Sequence, residues 1–243
     1  MLNLTLICVY NNEQVLNSCL LKSVKAQSVE AEIILLDNRN HTYTSAAQAC
    51  NAGALKATKD YLLFLHQDIV FQSPNDLQSI YQALIKDDDA VLGVAGCSIL
   101  GKEIYSNIVH GQTQQPAGTK TISEVKEVDA LDECLIACSK KTFDTLRFNE
   151  DLCDGWDLYG VDFCYRAKML ALPVYVMPIK LWHVSPGNPK HAFYSCARRL
   201  RKHYRKQFSH IRTCCITIPV PTRWYGDVLL YLLEVKNMLK RSN

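Results

Sequence analysis

Three short apolar runs in the chain end in side chains that can bind or ionise. Leu4 to Tyr10 is followed by Asn11-Asn12, Ile33 to Leu36 by Asp37-Asn38, and Tyr61 to Leu65 by His66-Gln67-Asp68. Amides, carboxylates and an imidazole donate and accept hydrogen bonds and change charge, which is the chemistry of ligand binding. A later set comprises Asp154, Trp156, Asp157 and Asp162, with His183 further on. Motifs for two other chemistries are missing from the sequence. No GxGxxG follows the first run, and Gly118-Thr119-Lys120-Thr121 lacks the upstream glycine and the Lys-Ser/Thr order of a phosphate loop. A dinucleotide oxidoreductase and a P-loop nucleotidase therefore lose their main support.

The elements that must position these residues follow from hydrophobic periodicity. Leu4 to Tyr10 reads as a strand, Glu13 to Ala26 as a helix and Glu32 to Leu36 as a strand. Ser45 to Ala57 reads as a helix, Tyr61 to Leu65 as a strand, Asp76 to Lys86 as a helix and Val91 to Ala95 as a further strand. Such alternation predicts right-handed βαβ crossovers and an α/β fold, with a mainly parallel sheet flanked by helices. Ligands of these sheets bind beyond the carboxyl ends of the strands, where the three polar clusters converge. A strand-like Pro173 to Met177 and a loop precede His183.

With 243 residues, 48% of them hydrophobic and 21% charged, the chain can bury one sizeable core. A net charge of +3 is too mild to imply nucleic acid. The first residues read as a strand and not as a signal peptide, and no run approaches the roughly 20 apolar residues of a membrane span. A soluble or peripheral protein is expected. The eleven cysteines are expected as reduced, buried thiols, which favours the cytoplasm. Cys134 and Cys138 lack the partners of a zinc site.

The segments Leu6-Ile7-Cys8-Val9-Tyr10-Asn11-Asn12-Glu13, Ile33-Ile34-Leu35-Leu36-Asp37-Asn38, and Asn51-Ala52-Gly53 before Tyr61-Leu62-Leu63-Phe64-Leu65-His66-Gln67-Asp68 resemble family 2 glycosyltransferases. Their order and spacing match as well. The run from Gly155 to Arg166, followed by Leu181-Trp182-His183-Val184-Ser185, is similar to the acceptor and metal region of that family. The LHQD form is similar to a bacterial subgroup associated with capsule or other surface polysaccharides. The resemblance covers Leu4 to Gly187. It implies a GT-A-type, Rossmann-like single domain over 1–190, followed by a basic and amphipathic helical extension over 191–243.

Carried over residue by residue, the resemblance makes Asp68 a ligand of Mn2+ or Mg2+, with His183 as a second ligand. The usual Asp-x-Asp has His66 in its first place, an imidazole that either favours manganese or contacts ribose or phosphate. Val9, Tyr10, Asn11, Asp37, Asn38, His66 and Gln67 are the implied nucleotide contacts. Asp37 would accept from the imide of a uracil-type base and Tyr10 would stack on it, and UDP- and dTDP-sugars present the same edge. The implied reaction is inverting hexosyl transfer to a glycan or lipid-linked acceptor, with an aspartate as general base. Asp157 ranks first and Asp162 second, because Asp162 can pair with Arg166 four residues on. Trp156 is the implied acceptor-stacking ring. Gly160 stands where a second acid is often found. With His66, that departure leaves open a non-catalytic module that binds sugar nucleotides or glycans.

Two regions stand apart. Ser98 to Asp129 reads as an insertion carrying acceptor-facing loops or as a flexible excursion. Arg198, Arg199, Arg201, Lys202, Arg205 and Lys206, with the amphipathic stretch Trp224 to Lys240, suit an anionic membrane surface, a solvated face, a cover for the core or a homodimer interface. A peripheral place at the inner face of the plasma membrane is expected, and nucleic acid fits the motifs least.

Overall fold

A computed structural model of the chain describes residues 1–100, 103–185, 189–220 and 225–239. Gly187, Trp224 and Lys240, named above, lie outside the described residues.

The strands in chain order are β1 (Leu4–Tyr10), β2 (Glu32–Asp37), β3 (Tyr61–His66), β4 (Ile69–Phe71), β5 (Val91–Gly93), β6 (Ala95–Cys97), β7 (Ile104–Ser106) and β8 (Val109–His110). They continue as β9 (Gln115–Pro116), β10 (Lys126–Glu127), β11 (Ala130–Leu131), β12 (Leu135–Ser139), β13 (Val174–Val176), β14 (Leu181–His183), β15 (His210–Arg212) and β16 (Thr217–Pro219). The helices are α1 (Glu13–Leu16), α2 (Lys22–Lys25), α3 (Ala46–Lys56), α4 (Asp76–Lys86), α5 (Lys140–Leu146), α6 (Tyr159–Met169), α7 (His191–His203) and α8 (Tyr225–Leu239). A π-helical turn, Asn17–Leu21, joins α1 to α2, so the helix expected over 13–26 is one rod with a widened middle.

Seven strands form the central sheet in the order β10-β13-β5-β12-β3-β1-β2. β1 pairs in parallel with β2 and β3, and β13 with β5. β12 runs against both β3 and β5, and β10 against β13, so five strands share one direction and two oppose it. The sheet is mainly parallel, as expected, with an antiparallel wedge at its centre. The run read as one strand over 91–95 divides in two. Val91–Gly93 stays in the central sheet, whereas Ala95 opens β6, which pairs with β7 and β11 in a second sheet. The excursion from Ser98 to Asp129 carries β7 to β10, and β8 lies beside β14 in a third sheet.

Both faces of the central sheet are covered, and the period of two in its strands sorts the side chains. Ile7, Leu62, Phe64 and Ile136 enter one core, while Leu6, Cys8, Leu63, Leu65 and Leu135 enter the other. α3 begins where the Ser45 hydroxyl accepts from Gln48 N at 3.1 Å. It lays small residues on the sheet, and a Cβ on Gly53 would come within 2.5 Å of Ile7 Cγ2. Only glycine permits that approach.

The C-terminal residues are not detached from this core. Phe193, Tyr194, Cys196, Ala197 and Leu200 of α7 pack into the same cluster as Tyr159 and Phe163, so the division at residue 190 does not coincide with a break in packing. α8 buries Leu230 there and leaves Leu229, Leu232 and Met238 exposed. Among the described residues no helix is long and apolar enough to cross a membrane. The eleven cysteines are free thiols, and all but Cys214 and Cys215 are buried.

Candidate functional site

Beyond the carboxyl end of β3 the chain turns at Gln67-Asp68 into β4, and the antiparallel pairing of β4 with β14 puts His183 opposite Ile69. This pairing joins residues far apart in sequence. His66, Asp68 and His183 present ligand atoms all within 4.8 Å of one another. Asp68 Oδ1 lies 3.4 Å from His183 Nε2, while Oδ2 accepts from Ser185 N at 3.1 Å and from Ser185 Oγ at 2.5 Å. Burial opposes ionisation of Asp68, but the hydrogen bonds from His183 and Ser185 and the neighbouring imidazoles hold its carboxyl well below the usual range. Burial also opposes protonation of His183, yet the bond and charge of Asp68 outweigh it and lift the imidazole above its ordinary pKa. His66 moves the other way, lowered by burial and by His183. One carboxylate flanked by two imidazoles is a donor set that fits a divalent cation, with nitrogen ligands that suit manganese better than magnesium.

The cluster opens on a cleft of about 380 Å³ lined by Val9, Asn11, Asn38, His66, Gln67, Asp68 and Ser185, and by Trp156 and Tyr159. Within it, several residues expected to touch a nucleotide already have protein partners. Gln67 Oε1 accepts from Asn11 N and Asn12 N at 3.1 and 3.0 Å, and its Nε2 donates to Asn11 Oδ1 at 2.8 Å, which clamps the β1 loop to the cation loop. The Asn38 side chain ties down Tyr43 through N–H to Oδ1 at 2.8 Å and Nδ2 to O at 3.2 Å. Asp37 lies outside the lining and is held by Arg39, whose guanidinium also reaches Glu13 at 2.5 Å and lies 5.7 Å from the Tyr10 ring centroid. Its bonds from Arg39 lower the Asp37 carboxyl to about 2.

On the far side of the cluster, the two ranked aspartates separate. Asp162 is fully buried, its Oδ2 accepting from Arg166 Nε at 2.7 Å and its Oδ1 from the Tyr204 hydroxyl at 2.6 Å. Sealed and doubly engaged, it braces α6 against α7, and the pairing with Arg166 is the one its spacing predicts. Asp154 is likewise taken, by Arg199. Asp157 precedes α6 in the chain, with no hydrogen-bond partner among the described residues. Burial raises its carboxyl, opposed by Lys190. Trp156 is 44% exposed at the cleft rim.

Two acids escaped the sequence reading. Asp132 and Glu133 stand between β11 and β12, and Asp132 acts electrostatically on both His66 and His183. The adjacent acidic pair at the start of an apolar run was a visible signal, but nothing local ties it to residues 66 and 183. Arg39, which holds Asp37, was likewise not singled out.

The sequence profile of the Glycosyltransferase like family matches residues 5–208. No curated protein matches the chain. Among solved structures, GalNAc-T7 with UDP, GalNAc and Mn2+ superposes with a TM-score of 0.60 at 15% identity, over 83% of this chain and 47% of that one. The mannosyltransferase PcManGT from Pyrobaculum calidifontis, in complex with GDP-Man and Mn2+, gives 0.54 at 12% identity, over 84% and 62%. S. aureus TarS 1-349 in complex with UDP-GlcNAc gives 0.54 at 14%, over 84% and 67%. The chain thus spans about half of the first solved chain and under two thirds of the second. These likenesses concern the fold, which is of the GT-A type. With the profile covering most of its length, the chain belongs to the Glycosyltransferase like family.

Proposed function

We propose that the protein is an inverting glycosyltransferase that moves a hexosyl group from a UDP-sugar, or from a dTDP-sugar with the same imide edge, to a glycan or lipid-linked acceptor. The observation that carries this reading is the His66–Asp68–His183 group at the mouth of a cleft beyond the strand ends. A divalent cation held there would neutralise the diphosphate leaving group. The nucleotide lies along Val9, Tyr10, Asn11 and Asn38, and Asp37 receives the base once Arg39 lets go. Trp156 stacks on the acceptor sugar. A carboxylate takes the acceptor proton, and of the aspartates ranked from sequence, Asp157 is the one left without a hydrogen-bond partner among the described residues.

Calorimetry with UDP-, dTDP- and GDP-sugars, with manganese and magnesium compared, tests the reading when followed by assays of diphosphate release. Cation-dependent binding with turnover supports transfer. Binding without any turnover on a broad acceptor panel supports the non-catalytic module.

The same reading places the protein at the inner face of the plasma membrane, where lipid-linked acceptors are found. Of the six cations expected to face the membrane, Arg198, Arg199 and Arg201 pair with Glu234, Asp154 and Asp227. Lys202, Arg205 and Lys206 are exposed with no ion-pair partner among the described residues, and each contributes about 1 kcal/mol near an anionic surface. Because α7 belongs to the core, the full chain and a K202E/R205E/K206E variant form the useful pair. Co-sedimentation of the parent alone with phosphatidylserine vesicles supports membrane contact. A concentration-dependent dimer without sedimentation supports an interface between copies.

A further inference from the structure

The transfer reading needs a base held in a fixed position beside the cation cluster. Asp157 follows Gly155-Trp156 and precedes the left-handed Leu158 (φ 65°), with Lys190 acting on its charge. Glu133 sits on firmer ground. Its neighbour Cys134 accepts from His66 N at 3.1 Å, and Cys134 N donates to Asp132 Oδ1 at 3.0 Å. The segment bearing Glu133 is thus bonded directly to the strand end that carries the candidate cation ligands. Sites built on such rigid elements hold reacting groups more closely than loops do.

The Glu133 side chain reaches the first turn of α6. A Cβ on Gly160 would lie 2.5 Å from Ile136 Cδ1, 2.9 Å from Glu133 Cγ and 3.5 Å from its Oε1, so the glycine leaves the room that these two side chains fill. α6 has no side-chain cap at its N-terminus, where the helix dipole favours a negative group. Glu133 Oε1 is sealed from solvent and has no hydrogen-bond partner among the described residues, although the residue as a whole keeps partial exposure. A buried carboxyl oxygen without a partner is costly for folding alone and is usual where a ligand completes the set. Around it stand Tyr159 of the cleft, Asp132, Asp157, and the thiols of Cys196, Cys214 and Cys215.

We propose that Glu133 is the general base of the transfer. Its carboxylate takes the hydroxyl proton of the acceptor while the acceptor oxygen bonds to the anomeric carbon. The bond from that carbon to the diphosphate breaks, and its electron pair leaves with the diphosphate. Burial, reinforced by Asp132 and Asp157, raises the Glu133 carboxyl well above the ordinary range, the direction a base working near neutral pH requires. The assignment rests on the transfer reading above and names the group that reading leaves open.

Glu133→Gln is close to isosteric and should fold. Its expected effect is a fall of about 100-fold or more in UDP release from the UDP-hexose chosen by the donor screen, with affinity for UDP and manganese within about twofold of the parent. Release within about threefold of the parent overturns the assignment, as does a loss confined to Asp157→Asn. If Glu133→Gln does not fold, E133A/G160D decides, since an aspartate at 160 would return a carboxylate beside the vacated space once the tip of Ile136 shifts. Release within about tenfold of the parent supports the proposal, and a folded double variant with none overturns it. A chain that takes up no sugar nucleotide with either cation overturns the transfer reading and this assignment with it. Donor turnover that survives Glu133→Gln overturns the assignment alone.

Discussion

The two sides of the candidate site are built on opposite terms. Around His66, Asp68 and His183 the carboxylate and the neighbouring loop backbone have protein partners: Ser185 fixes Asp68, Gln67 clamps the Asn11-Asn12 backbone, and β4 pairs with β14. Across the cleft, among the described residues, Asp157 has no hydrogen-bond partner and Glu133 has a sealed oxygen without one. The first side is set before any ligand arrives, whereas the second leaves its acids short of partners. Fixed dipoles suit a site that must bind a cation and a diphosphate in one geometry, because nothing has to reorganise. Unsatisfied carboxyls with raised pKa suit groups that must accept a proton.

The largest effect should come from breaking the fixed side. Asp68→Asn removes the charged ligand and is expected to abolish cation-dependent donor binding, with transfer down about 100-fold or more and the fold intact. Titration of UDP into the variant with and without manganese checks this, and undiminished turnover would remove Asp68 from the site.

Next in size is a purely structural loss that separates the two aspartates of the acceptor side. Asp162→Asn strips the charge from a buried pair and leaves Arg166 unmatched, with an expected cost of about 3 kcal/mol in urea unfolding. Asp157→Asn, on a half-buried residue with no hydrogen-bond partner among the described residues, should change stability by under about 0.5 kcal/mol. Equal losses in the two variants would erase the distinction drawn between them.

A smaller effect concerns protons on the fixed side. Because the folded-state pKa of His183 is raised, protonation there stabilises the cation-free protein fully below the ordinary histidine value, and that increment is lost as pH rises through the raised value. Asp68 acts in the other sense: its pKa is lowered, so its contribution is present above the ordinary carboxylate value and disappears only in strong acid. Cation binding needs His183 without its proton, so affinity for manganese should fall as pH drops through the raised value, by up to tenfold per pH unit. Melting curves at pH 5.5 to 8, with and without manganese, would show the cation's stabilisation growing with pH. A stabilisation independent of pH would take His183 out of the ligand set.

The smallest effect belongs to the Arg39 latch. Arg39, Asp37 and Glu13 are all substantially exposed, so Arg39→Ala should leave stability nearly unchanged. Freed of its partner, Asp37 should bind the base of UDP a few-fold more tightly by calorimetry. Weaker binding would mean that Arg39 itself contacts the nucleotide.

Much of this was legible in the chain itself. Alternating runs from Leu4 to Lys86 determined the βαβ order, since hydrophobic period and capping act within a few residues. That order in turn put Tyr10, Asp37 and Asp68 at one sheet edge. The spacing of Asp162 and Arg166 already announced their ion pair, because one helical turn brings such side chains together. The strand at 91–95 was misjudged at its end because Gly93 and Ala95 serve different sheets, which no local pattern records. Partner identity across long separations was decided only by the tertiary structure. Glu133 meets Gly160, Asp162 meets Tyr204, and Arg198 and Arg201 meet Glu234 and Asp227. Residue types and short-range periodicity determine where a polar group can stand along a strand or helix. Whether that group is sealed, paired or left for a ligand depends on surfaces brought from distant parts of the chain, and burial sets the cost of each charge.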